Sequence, residues 1–317
     1  MLSYSYKRPK TTAEAVAALQ EGGRVVGGGS DMLSLVKQRI ETPKVLVDIS
    51  EVKELIGIAV NGDILTIGAA TTLTSLAENE TVRKDFLMLN EAVKSVASPQ
   101  IRNIGTVGGN LCQRPRCWYF RSPLFSCYRK GGDTCFAVTG ENQFNCLFGG
   151  AACFIVSPSD LAPALVALSA TAIVTGKQGQ RRIPMEEFFV TPHQDYTQEV
   201  ALKQDELLVA VEVPRPTAGT KMTYRKVRER QTFDFAQVSL AISIGPQSAR
   251  VVFGGVAPIP WRSIEAENIL QGGAITEERA KQAAAAATKM ARPMEKNGYK
   301  VAMLQGLIIS TALSLAK

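Results

Sequence analysis

The apolar positions of this chain change period several times, and each change marks an element. Residues 12–20, TAEAVAALQ, place small and aliphatic residues at helical spacing, and Thr11-Thr12-Ala13-Glu14 has the spacing of a capping box. Arg24-Val25-Val26 is a short β-branched run. It ends in Gly27-Gly28-Gly29-Ser30-Asp31 and gives way to a helical MLSLVKQR. KVLVDIS and DILTIGA have strand character, with a turn at Asn61-Gly62. Thr71 to Asn79 and Val82 to Val96 are expected as helices. The first hundred residues therefore alternate strand and helix, an α+β or α/β pattern.

Further on, LAPALVALSA is short and apolar, and TAIVTG is an expected strand. The polar turn Gly176 to Gln180 is the expected domain boundary, giving 1–177 and 178–317 with a cysteine-rich insertion at 112–153. The second part carries three expected strands, LLVAVEVP, AQVSLAISI and ARVVFGGV. Pro214, Pro216 and Gly219 punctuate a loop between two of them. An Ala-rich helix at 275–291 and a terminal apolar helix, VAMLQGLIISTALSLA, close the chain. The last is read as a packing helix, and no membrane span is expected.

Composition adds little until the cysteines. The 317 residues are 45% apolar and 21% charged, with a net charge of +7. That suits a globular chain of two or three domains. No basic run with interleaved aromatics points to nucleic acid. The start, MLSYSYKRPKTTAEA, lacks the basic-then-apolar order of a secretory signal. The expected compartment is the cytoplasm, with export on a partner's signal as the alternative. His193 is the single histidine and is expected as a solvated loop residue; its solitude argues against a histidine-based metal site or triad.

All six cysteines fall between Cys112 and Cys153. Thiols so clustered in a chain of this kind are metal ligands or redox groups more often than disulfides. From Cys117 the spacing is C-x9-C-x7-C-x17-C, without the short knuckles usual in structural zinc sites. An iron–sulfur cluster, a zinc site and inert buried thiols all remain open on spacing alone. Two glycine turns precede this region, GGGSD far upstream and Gly105-Thr106-Val107-Gly108-Gly109-Asn110 directly before it. Glycines let backbone N–H groups converge without Cβ clashes, and a helix N-terminus favours anions. Either turn alone is an ordinary tight turn. Together they could clasp a pyrophosphate.

The motifs VVGGGSDMLSLVK, QIRNIGTVGGNL and SDLAPAL, with TYRKVRERQTFDFAQVSLAIS and GGVAPIPWR, resemble the flavin subunits of the xanthine oxidase family of molybdenum hydroxylases. The stretch Asn110-Leu111-x-Gln113-x-x-Arg116-Cys117 resembles the subtype with an additional 4Fe–4S cluster, as in 4-hydroxybenzoyl-CoA reductase β subunits and periplasmic aldehyde oxidoreductases. The resemblance implies an α+β chain: a two-lobed FAD-binding domain of the vanillyl-alcohol-oxidase type, then an α+β domain of the CO dehydrogenase flavoprotein type. It implies FAD held by Val25, Val26, Gly27, Gly28, Gly29, Ser30 and Asp31, and by Ile101, Thr106, Gly108, Gly109 and Asn110, with Asp160 and Lys226 nearer the ring. Asp160 is also a plausible N-cap for the helix that follows it. It implies one 4Fe–4S cluster on Cys117, Cys127, Cys135 and Cys153, with Cys112 and Cys146 as bystanders. The 17-residue gap before Cys153 favours the aldehyde-oxidoreductase arrangement slightly. The implied partners are a 2Fe–2S small subunit, a molybdopterin large subunit and an external electron acceptor. Electrons would pass between those centres, with no substrate turnover by this chain alone. Two other readings compete: a stand-alone FAD oxidase or dehydrogenase, and a zinc-bound scaffold protein.

Overall fold

A computed structural model describes residues 2–316. Three sheets carry the chain. The first has three parallel strands in the order Ser5–Lys7, Val45–Asp48, Gly23–Val26. The helix Thr12–Gln20 packs on it through Ala15, Val16, Ala18 and Leu19. Thr11 caps its start as the sequence predicts, Oγ1 accepting from Glu14 N, while the Glu14 carboxylate accepts from Lys10 N at 2.7 Å, one residue before the cap.

The second sheet has five strands, in the order Ile58–Asn61, Ile64–Gly68, Leu207–Pro214, Thr171–Gly176, Gly179–Pro184. Its neighbours all pair antiparallel. Helices Leu73–Glu78, Leu87–Ser95 and Leu161–Ala167 cover one face, and every residue of the last is buried. The expected single helix from Val82 to Val96 is broken. Asn79 caps a short helix, Glu80–Asp85, and the buried Phe86 leaves helical geometry before Leu87–Ser95 begins.

The division expected at 177/178 falls inside the hairpin that joins Thr171–Gly176 to Gly179–Pro184. A boundary there would split a sheet whose central strand, Leu207–Pro214, comes still later in the chain. The chain leaves this sheet after Pro214 and crosses a turn with Gly219 at φ +81°. It enters the third sheet at Lys221–Val227. The Pro214–Gly219 loop, not the Gly176 turn, separates the lobes.

The third sheet is antiparallel, in the order Trp261–Arg262, Ala249–Gly254, Val238–Ile244, Lys221–Val227. Helices Ile264–Leu270, Glu277–Thr288 and Tyr299–Ala316 cover it. Tyr299–Ala316 is long and apolar enough to cross a membrane by length and composition. Here Leu304, Ile308 and Ala312 pack one side of it into the core of this lobe. Lys300 is buried on the same helix, with its Nζ donating to the carbonyls of Gly255 at 2.9 Å and Phe144 at 3.0 Å.

Residues 112–160 form little regular structure. Side chains pin them to all three lobes. Asn297 Nδ2 donates to the carbonyls of Asn145 and Cys146, and Asn142 Oδ1 accepts from Lys296 N. Arg114 pairs with Glu41 of the first lobe and with Glu199 of the second.

Candidate functional site

The strand Gly23–Val26 delivers the first glycine turn to the end of the parallel sheet. The second turn follows the helix Pro99–Ile104 and opens the short helix Val107–Leu111. The two turns meet backbone to backbone. A Cβ on Gly28 would sit 1.8 Å from the Ile104 carbonyl oxygen, and one on Gly27 would sit 2.6 Å from Thr106 Oγ1. No larger residue fits at Gly28 unless the turns separate. Thr106 caps the second turn, accepting from Gly109 N at 3.1 Å, and Gly108 N is tied to the Ala69 carbonyl at 2.8 Å. Among the described residues, the backbone N–H groups of Gly28, Gly29, Ser30 and Asp31 donate to no protein acceptor. A row of free N–H groups at converging turns is an anion cradle.

This cradle lies in a cavity of about 340 Å³. The site residues implied for the flavin all line it, except Val26. Val26 is buried in the small first core, and its carbonyl accepts from Ile49 N at 3.1 Å. Val25, Ile101 and Asn110 face the cavity. Asn110 is held there by Ser159, whose hydroxyl donates to Asn110 Oδ1 at 2.6 Å.

Asp160 does not cap its helix as expected. Ser159 Oγ instead accepts from Ala162 N at 3.1 Å. The Asp160 carboxylate is buried and takes two partners from the strand Lys221–Val227. Tyr224 Oη donates to Oδ1 and Lys226 Nζ to Oδ2, each at 2.7 Å. Lys226 Nζ also donates to the Ser95 carbonyl at 3.1 Å. A buried carboxylate of this kind is stable only with such partners. Burial, then the neighbouring Asp160 charge, holds the Tyr224 hydroxyl well above its ordinary pKa, so it is a proton donor at neutral pH. The triad couples the second and third lobes at the cavity floor.

Asp31 lines the same cavity, and its carboxylate is tied to the cysteine-rich segment. Its carboxylate accepts from Arg114 N at 2.8 Å and from Arg121 Nη2 at 2.7 Å, and it pairs with Arg116 Nη1 at 2.9 Å. All three arginines belong to the cysteine-rich segment. Burial pushes the Arg116 guanidinium down to about 10, against the pull of Asp31. Its carbon lies 5.0 Å above the Phe235 ring.

Cys117, Cys127, Cys135 and Cys153 line one small cavity of about 10 Å³, with Phe120, Arg129 and Phe136 among its walls. Cys112 lines the glycine cavity instead, its thiol pushed up to about 12 by burial. Cys146 is buried and likewise raised to about 12. All six are free thiols. Arg129 donates its Nη2 to Glu199, while its Nε and Nη1 are buried without a hydrogen-bond partner. Among the described residues, no group of three or more His, Cys, Asp or Glu is close enough to hold a single metal ion.

Sequence reasoning missed part of the wall. Phe233, Asp234 and Phe235 line both the glycine cavity and a second cavity of about 270 Å³ beside it. Leu202 and Glu206 to Leu208 also line the first. The signal was the pair of phenylalanines in a polar loop, Thr232-Phe233-Asp234-Phe235, where no core periodicity accounts for them. Trp118 follows Cys117 but is not a core aromatic. It is 54% exposed and lines the second cavity. His193 is exposed on its loop, as expected.

Paired glycine turns at the end of a parallel sheet, with a second lobe and a third sheet closing the cavity, define a two-lobed flavin-binding protein with an α+β extension. The family described as "FAD binding domain in molybdopterin dehydrogenase" matches residues 2–216, and "CO dehydrogenase flavoprotein C-terminal domain" matches 222–314. The aldehyde oxidoreductase FAD-binding subunit PaoB of Escherichia coli (strain K12) is 39% identical over 281 residues, covering 86% of this chain and 88% of that protein. The carbon monoxide dehydrogenase medium chain of Hydrogenophaga pseudoflava is 28% identical, covering 99% of this chain and 96% of that protein. A solved structure of carbon monoxide dehydrogenase from the same organism matches with TM-score 0.77 at 28% identity, over 99% of this chain and 97% of that one. The chain belongs to the family of FAD-binding subunits of the molybdenum hydroxylases, and it is an oxidoreductase subunit. The gap between the two matched regions coincides with the Pro214–Gly219 crossing between the sheets.

Proposed function

We propose that this chain is the FAD- and 4Fe–4S-bearing electron-transfer subunit of a molybdenum hydroxylase complex. It would pass electrons between 2Fe–2S centres of a small subunit and an external acceptor, while a molybdopterin large subunit handles the substrate. The similarity to an aldehyde oxidoreductase subunit favours an aldehyde-type complex over a 4-hydroxybenzoyl-CoA reductase type.

The observation that carries the cluster is the sorting of the thiols. Of six cysteines, the four implied as ligands line one cavity, and the two implied as bystanders do not. The two unpartnered donors of Arg129 on the same cavity suit an anionic sulfur-rich group. Cys117 and Cys153 are raised by burial, Cys153 to about 11, so loading releases protons.

For the flavin, the backbone of Gly27 to Asp31 and of Thr106 to Asn110 would hold the pyrophosphate, with Val25 and Ile101 alongside. Asp160 and Lys226 would fix the ring end. FAD, when bound, supplies chemistry in one- and two-electron steps, which a cluster limited to single electrons does not. The chain's own part is to position and insulate: the cradle orients the phosphates, the buried Asp160–Lys226–Tyr224 set holds charge and protons in place, and the lobes exclude water. Six free thiols suit a reducing compartment, or export only after folding. The test is iron, sulfide and zinc analysis of anaerobically purified protein, with its visible and electron paramagnetic resonance spectra. Stoichiometric zinc without iron defeats the cluster reading.

A further inference from the structure

Among the described residues that line the four-thiol cavity, one side chain besides the cysteines can bring a full charge. The rest are aromatic or apolar, Phe120, Phe136, Ala137 and Ile155 among them, and the exception is Arg129. It sits in the single-turn helix Tyr128–Lys130, directly after Cys127. Lys130 N and Gly132 N both donate to the Cys127 carbonyl, at 2.8 and 3.0 Å, so the backbone that carries the guanidinium is tied to the thiol's own residue. The next cation, Lys130, spends its Nζ on the carbonyls of Tyr119 and Ser122.

The Arg129 side chain is 1% exposed. Its Nη2 donates to Glu199, a residue of the second lobe whose other carboxylate oxygen lies 2.8 Å from Arg114 Nε. Arg129 Nε and Nη1 have no partner. A pin to Glu199 needs the Nη2 edge alone. A buried guanidinium with two idle donors is costly unless something anionic lies beside it.

A 4Fe–4S group on four thiolates is anionic, and each electron adds one negative charge. A fixed positive charge in an apolar wall therefore favours the reduced form over the oxidised one, and little solvent screens it. Guanidinium hydrogen bonds to sulfur act in the same direction. The Glu199 carboxylate acts the other way and cancels part of that field.

We propose that Arg129 is the positioning residue that raises the reduction potential of a 4Fe–4S group on Cys117, Cys127, Cys135 and Cys153, with Glu199 as the opposing charge that limits the rise. The proposal rests on the cluster reading above. The step it governs is a one-electron transfer into that group from reduced flavin or a 2Fe–2S centre. The donor is oxidised by one electron, and no bond forms or breaks.

The experiment titrates anaerobically purified protein, with its partner subunits, with dithionite and redox mediators under argon. The electron paramagnetic resonance signal of the reduced cluster gives its midpoint. Arg129→Met should make reduction about tenfold less favourable, a midpoint lower by about 59 mV. Arg129→Lys, which keeps the charge, should restore most of the loss. Glu199→Gln should raise the midpoint. Glu41→Gln is the control, since Glu41 pairs with Arg114 but not with Arg129, and it should leave the midpoint in place. A merely structural role predicts another pattern: loosened packing admits water, which favours the more charged reduced form, so every variant would shift upward. Should Arg129→Met fail to hold iron, the contrast between Glu199→Gln and Glu41→Gln decides. Iron and sulfide are measured first. Wild-type protein without them sinks the cluster reading and this proposal together. A cluster-bearing protein whose midpoint is unchanged or higher in Arg129→Met, or equal in the two glutamine variants, sinks this proposal alone.

Discussion

The glycine clasp and the cysteine segment lie side by side and are built by opposite means. The clasp is backbone. Its shape follows from strand, turn and helix, and side chains are excluded where Gly28 meets the Ile104 carbonyl. The cysteine segment has almost no regular structure and is held by side chains, chiefly Arg116 and Arg121 on Asp31 and Arg114 and Arg129 on Glu199. A backbone site is formed before its ligand arrives. A side-chain site with two unpartnered buried guanidinium nitrogens depends on its ligand for part of its order. Asp31 joins the two, with its N–H on one site and its carboxylate on the other.

The sharpest way to break this comparison is Gly28→Ala. The added carbon would overlap the Ile104 carbonyl, so the turns must separate. Loss of bound flavin is expected, with destabilisation on the order of 3 kcal/mol. Flavin absorbance per chain and urea unfolding measure both, and flavin retained at wild-type level would show that the clasp does not hold it. Next in size is Cys135→Ser, which should lose iron and sulfide yet keep most flavin. Cys112→Ser should keep both, although Cys112 lines the flavin cavity. Iron loss in Cys112→Ser would mean that the thiols are assigned to the wrong sites.

Asp31→Asn tests the joint. Three arginine contacts weaken at partly exposed positions, so about 1–2 kcal/mol is expected, together with a several-fold faster release of FAD. Release can be timed by the rise of free-flavin fluorescence. An unchanged rate would make the two sites independent.

The smallest effect expected is at Lys300, where the cysteine segment meets the terminal helix. Burial lowers its pKa to about 8, with nearby Cys146 opposing. The folded form therefore loses this proton near pH 8, while the unfolded chain keeps it to about 10.4. The unfolded state binds more protons in that window, so the Lys300 contribution to stability rises with pH between them, at most about 1.4 kcal/mol per pH unit. Urea unfolding of the wild type should show a steeper rise from pH 8 to pH 10 than Lys300→Met. Parallel slopes would contradict the buried-lysine account.

The same contrast explains what could be seen in the sequence. Glycine turns and β-branched runs specify backbone directly, so the clasp and most strands were legible from GGGSD, GTVGGN and their flanks. The cysteines announced ligand chemistry, and their sorting came only through family resemblance, because spacing across irregular loops does not fix geometry. The 176–180 turn misled because a polar glycine turn marks a hairpin as readily as a boundary, and the strand that decides between them, Leu207–Pro214, lies far along the chain. Asp160 carried a helix-cap signal, but the serine beside it took the cap, leaving its carboxylate for Lys226 and Tyr224. Phe233 and Phe235 close the cavity from 200 residues beyond the first turn, a distance no local pattern spans.

The most direct measurement is the content of flavin, iron, acid-labile sulfide and zinc in one anaerobic preparation. The account predicts one FAD, about four iron and about four sulfide per chain, with negligible zinc. One zinc per chain, or flavin with neither iron nor sulfide, would contradict it.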